Sequence, residues 1–118
     1  MVLVANPAYA RVSNYVCTAD DKTITLTIDS RARVVREHTR IGRTSRTNQY
    51  TDEFFGKIVL QGGGKKARPV KQIVDISEWV VFFGTYGSDG LPEGARLNRK
   101  KSSLEYDDGT KGTCTLQR

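Results

Sequence analysis

The chain is poor in the residues from which catalytic and metal centres are built. It has one histidine and two cysteines, too few for the common four-ligand zinc sites. His38 lies inside an arginine run; a triad would need a nucleophile and a carboxylate converging on it, and an exposed basic-face residue is the expected role. Asp20-Asp21 and Asp107-Asp108 read as turn residues, and adjacent acids in a strand point to opposite faces, so neither is a natural acid-base pair. Gly62-Gly63-Gly64-Lys65-Lys66 lacks the first glycine and the Ser/Thr of a P-loop, although its amides and ammonium groups suit a phosphate. Neither an enzyme nor a bound cofactor is expected. No apolar run approaches the roughly twenty residues that span a bilayer. Met1 to Pro7 lacks the basic start and apolar length of a signal peptide, and no Asn-X-Ser/Thr acceptor occurs. A soluble protein without a membrane partner is expected, its compartment unassigned.

Helical periodicity is scarce too, and what replaces it is β patterning. A chain of 118 residues favours one domain, 1–118, with a single modest core. Thr, Val, Ile and aromatic runs between Gly, Asn and Asp clusters predict a mainly β fold: one antiparallel barrel or sandwich-like domain of about six strands with at most one short helix. Strands are read near 9–18, 22–36, 54–60, 72–83, 95–106 and 112–117. A helix from Pro69 is the alternative over 69–75. Arg43 to Asp52 is polar, lacks an apolar period and reads as a mobile loop. At the C-terminus, Leu104-Glu105-Tyr106 and Cys114-Thr115-Leu116 flank Asp107-Asp108-Gly109-Thr110. A three-residue loop, Asp108 to Thr110, pairs Leu104 with Cys114 and gives a consistent inner face. Cys17 and Cys114 lie near opposite ends. A disulfide between them would close almost the whole chain, but two buried free thiols are the favoured reading, because nothing else indicates an oxidising compartment.

Charge is the strongest signal. Nineteen Lys+Arg against thirteen Asp+Glu give +6, and fourteen of the nineteen fall in three clusters, a distribution that suggests a binding surface rather than scattered solvation. Arg31, Arg33, Arg36, Arg40, Arg43 and Arg46 form the first, with Glu37 as their one opposing acid. Lys65, Lys66, Arg68 and Lys71 form the second, and Arg96, Arg99, Lys100 and Lys101 the third. Ile24, Leu26 and Ile28 alternate with Thr23, Thr25 and Thr27. Continuing that strand, with a bulge at Val34-Val35, puts Arg31, Arg33, Arg36, His38 and Arg40 on the outer face as one stripe. Tyr50 and Tyr86 are read as loop aromatics able to stack on bases, whereas Phe54, Phe55, Trp79, Phe82 and Phe83 are assigned to core packing.

Trp79 and Phe82-Phe83, then Gly84-Thr85, Gly90-Leu91-Pro92 and Gly94-Ala95, resemble the aromatic strand and following loop of the coronavirus nucleocapsid RNA-binding domain. The resemblance is local, consists largely of turn residues and lacks that family's tyrosines, so the family is not assigned from it. Composition and clustering lead to a non-enzymatic β protein that binds nucleic acid, RNA before DNA, of the kind a viral or phage coat-like packaging subunit would use; a virion is one location that fits. The rival is an assembly or secreted interaction protein whose basic stripe meets an acidic protein surface, with homo-oligomers formed through strand edges.

Overall fold

The computed structural model describes residues 12–52, 59–61, 68–86 and 90–117, with 59–61 and 68–70 described by their backbone. Eleven strands occur there: β1 (Val12–Ala19), β2 (Lys22–Asp29), β3 (Val34–Ile41), β4 (Thr44–Thr51), β5 (Val59–Gln61), β6 (Arg68–Val70), β7 (Gln72–Ile76), β8 (Val80–Tyr86), β9 (Pro92–Asn98), β10 (Ser103–Tyr106) and β11 (Lys111–Gln117). Nine of them form one antiparallel sheet in the order β4-β3-β2-β1-β11-β10-β9-β8-β7, while β5 and β6 pair only with each other. The sheet curls until β4 approaches β7, giving a nearly closed barrel. No helix occurs among the described residues, and 69–75 falls in β6 and β7.

An odd number of alternating strands brings β4 and β7 together pointing the same way, and no backbone ladder joins them. A side chain does part of that work. The Gln72 amide accepts the Thr51 N–H at 3.0 Å and donates to the Gln49 carbonyl at 3.2 Å, occupying backbone groups that an edge strand would otherwise leave open.

Alternation fixes the inside. Tyr15, Cys17 and Ala19 of β1, Ile24, Leu26 and Ile28 of β2, and Val35 of β3 are buried, and Val74, Val81, Phe83, Leu97 and Leu104 complete the core from the other side. Thr23, Thr25 and Thr27 point outward, as read. The β1–β2, β3–β4 and β10–β11 turns gather at one end of the barrel; the β2–β3, β7–β8 and β9–β10 turns gather at the other.

Several expected elements are corrected. The strand at 22–36 is two strands. Asp29 Oδ1 accepts the N–H groups of Arg31 (3.1 Å) and Ala32 (2.9 Å), Arg33 adopts φ 57°, and the chain reverses without a bulge. This Asx turn was encoded by Asp29-Ser30 and hidden by the apolar alternation continuing past it. Residues 72–83 break at Ser77, whose hydroxyl accepts the Val80 N–H at 3.1 Å. Residues 95–106 break after Asn98, whose Oδ1 accepts the Lys101 N–H at 2.9 Å, with Ser102 at φ 53°. The expected loop at 43–52 is mostly β4, paired with β3 over all eight residues. Its apolar period is missing because, apart from Tyr50, its inward side lines an open barrel end rather than the core. Of the expected strand at 54–60, residues 54–58 lie outside the described residues.

The terminal hairpin turns through Asp107-Asp108-Gly109, one residue earlier than read. Gly109 takes φ 93°, so Leu104 faces Gly112 rather than Cys114. The slip is by two residues in pairing, so Leu104 and Cys114 still share the inner face. Cys17 and Cys114 are direct partners across β1 and β11, with Cα atoms 3.9 Å apart, and they form a disulfide rather than the free thiols favoured from sequence. The missing sequence signal was the β1–β11 pairing, which nothing local encodes.

Candidate nucleic-acid interface

β3 carries the surviving part of the arginine stripe. Val35 and Glu37 face inward, so Arg36, His38 and Arg40 face outward, and all three are exposed. They reach the same face as expected by a different route, a new strand after a turn. Each is steadied by a neighbour: Arg36 Nη2 donates to Gln49 Oε1 at 3.2 Å, His38 Nδ1 and Thr47 Oγ1 lie 2.7 Å apart, and Arg40 Nε donates to the Gly42 carbonyl at 3.2 Å. Arg31, exposed in the β2–β3 turn, and Arg43, exposed beside Gly42 in the β3–β4 turn, extend the row at both ends. The eight residues of β3 span about 26 Å at about 3.3 Å each.

The surroundings distinguish this row from ordinary surface cations. On one side Thr27, Thr25 and Thr23 of β2 face Arg36, His38 and Arg40; on the other stand Gln49, Thr47 and Ser45 of β4. Beyond β2 come Asn14, Val16 and Thr18 of β1, then Gln117, Thr115 and Thr113 of β11, with Lys111 at its start. Across these five strands the one outward acid is Asp29, at the edge, with an oxygen committed to the β2–β3 turn. The threonine rows and Lys111 were not assigned a role from sequence. The Thr-Ile-Thr-Leu-Thr alternation was the signal for the first, and the β1–β11 contact needed for the second was invisible.

The remaining candidates go elsewhere. Arg33 turns away from the stripe: its Nη2 donates to Asp52 Oδ2 at 3.3 Å and to the Val74 carbonyl at 3.0 Å, tying the β2–β3 turn to β7. Arg46 lies on the inward side of β4, opposite Thr39, at the rim of the barrel. Arg99 is 6% exposed and lies inside the far end, where its charge opposes the upward push that burial gives the Tyr15 phenol. Lys100 and Lys101 are exposed at that same end. Lys65 and Lys66 lie outside the described residues, and Arg68 is placed on β6 by its backbone. The three clusters therefore do not merge into one surface among the described residues.

The aromatics are also redistributed. Tyr50 is a strand residue packed inward on Phe83, ring centres 5.2 Å apart, not a loop platform. Burial, with the Glu37 charge behind it, raises its pKa against the opposing pull of Arg46. Tyr86 is exposed as read, but it ends β8, outside the five-strand face. Trp79, assigned to the core, is 55% exposed with Lys100 Nζ 5.8 Å from its ring centre. Phe82 is half-buried with Arg96 5.8 Å above it. That second meeting of cations and aromatics is electrically mixed, since Asp75 and Glu105 stand opposite Phe82 and Arg96 on the flanking strands. Phe54 and Phe55 lie outside the described residues.

The chain matches no family model, no curated protein and no solved structure, so its function is read from its own surface.

Proposed function

We propose that this barrel is a non-enzymatic binding protein whose partner is nucleic acid, held by its phosphates along β3. The observation that carries the reading is the outward row Arg36, His38 and Arg40, flanked on both sides by neutral hydroxyl and amide rows. Successive side chains of the row are about 6.8 Å apart along the strand, twice the about 3.4 Å per strand at which a DNA duplex spaces its charges along the helix axis. Contacts of this kind position a backbone and carry little sequence information. With Tyr50 turned inward, base stacking is not what this face offers. The threonine hydroxyls beside the cations are suited to ribose 2′-OH groups, which supports RNA over DNA. A coat-like packaging role remains the setting most in keeping with such a surface on so small a domain.

The Cys17–Cys114 disulfide favours one other reading, a protein of an oxidising compartment whose basic row meets an acidic protein surface. Titrating the protein with single-stranded RNA, the same sequence as DNA, and a polyglutamate chain of equal charge separates the two. Tighter binding to RNA than to polyglutamate supports nucleic acid. Equal or tighter binding to polyglutamate overturns it.

A further inference from the structure

The end of the barrel that holds the β1–β2, β3–β4 and β10–β11 turns is open, and a cavity of about 250 Å³ enters it. At about 30 Å³ per water, that is room for roughly eight waters, below the about 300–1,000 Å³ of drug-sized sites. Its floor is polar. Glu37, 5% exposed, points inward from β3, accepting the Tyr106 hydroxyl on Oε2 at 2.5 Å and the Asn48 amide N–H on Oε1 at 3.2 Å. Burial and that hydrogen bond push the Tyr106 phenol strongly up, so its proton stays on the phenol and is donated to the carboxylate. What faces the cavity is then mostly acceptors: the remaining carboxylate lone pairs, the Tyr106 oxygen and the Asn48 carbonyl. Tyr50, Phe83 and Ile24 supply apolar wall around them, and Lys22, Arg46 and Asp108 stand nearer the opening.

We infer that this cavity binds a small zwitterion whose ammonium seats on Glu37 and whose carboxylate meets Arg46 and Lys22 at the rim. A buried carboxylate that holds only two neutral donors and keeps further lone pairs toward the cavity calls for a donor-rich cation. A plain cation would have to pass the rim charges uncompensated, whereas a carboxylate tail uses them. The register gives the separation. Asn48 faces Glu37, and Arg46 is the next inward residue toward the mouth, about 6.8 Å along the strand. The two charges of the ligand are therefore separated by a methylene chain that runs toward the mouth past Ile24 and Ile41, as in an ω-amino acid, rather than adjacent as in an ordinary α-amino acid. This site is independent of the outer face of β3.

Isothermal titration of the whole chain with 6-aminohexanoate, hexylamine, hexanoate and norleucine tests it. The first should bind at least about tenfold more tightly than the other three, the loss expected for one charged hydrogen-bonding partner. Glu37→Gln should cost 6-aminohexanoate a similar factor. Arg46→Gln, an exposed change that folding should tolerate, should weaken 6-aminohexanoate without weakening hexylamine, whose ammonium then meets one rim cation fewer. Absence of saturable 6-aminohexanoate binding at millimolar concentration overturns the inference. So does norleucine binding equally well, or an affinity for 6-aminohexanoate that Arg46→Gln leaves unchanged.

Discussion

Two arginines three positions apart, Arg33 and Arg36, show how little residue type alone decides. Arg33 sits at positive φ and spends its guanidinium on Asp52 and the Val74 carbonyl; Arg36 stands in solvent beside Gln49. Arg33→Gln should lower unfolding free energy by about 1–3 kcal/mol, because it leaves a nearly buried carboxylate short of a partner. Arg36→Gln should change it by less than about 0.5 kcal/mol. Urea midpoints of the two variants check this, and equal midpoints would mean that Arg33 is not a structural tie. Tyr106 supplies a second test. Its folded pKa lies above the ordinary 10.0, so the folded state keeps a proton that the unfolded chain releases. The stability this proton confers is complete below about pH 10 and falls as pH rises beyond it. Tyr106→Phe should be less stable at neutral pH, since Glu37 loses a donor. It should also show a shallower decline above pH 10 than the wild type, measured by thermal melts across that range.

Among elements, those that pack a core face were legible and those that close the barrel were not. β2 was visible because Ile24, Leu26 and Ile28 fill the interior while threonines face water, whereas the outward direction of Arg36, His38 and Arg40 was reached by assuming a bulge at Val34-Val35 where the chain instead turns and starts a new strand. β4 escaped because it is an end strand whose inner side, apart from Tyr50, lines a cavity with Arg46 and Asn48, so no apolar period marks it. The inward Glu37 was available from the same alternation that exposed its neighbours, but its partner Tyr106 is 69 positions away and gave no signal. The disulfide was missed for the same reason. It closes a 97-residue separation, close to the loop length for which chain entropy gives about 4.7 kcal/mol, with measured values commonly about 2–4. The double variant Cys17→Ala, Cys114→Ala should lose about 2–4 kcal/mol in urea unfolding under non-reducing conditions. A change below about 0.5 kcal/mol would show that the β1–β11 ladder holds the termini without it.

At the scale of the molecule, the barrel separates its charges by direction. The outer face of β11-β1-β2-β3-β4 is basic and nearly free of acids, the open end leads to a buried carboxylate, and Arg99 is enclosed at the other end. A net charge of +6 therefore understates how one-sided the β3 face is. If that face binds nucleic acid, its affinity must depend on salt through the phosphates it neutralises. For single strands, log K falls with log salt at a slope of about −0.7 per phosphate. The most direct test is that slope, measured at equilibrium on single-stranded RNA for the wild type and for Arg36→Gln, Arg40→Gln with folding verified in parallel. Two lost contacts should flatten it by about 1.4. An unchanged slope in a folded variant would contradict the account, leaving the row on β3 as solvated surface.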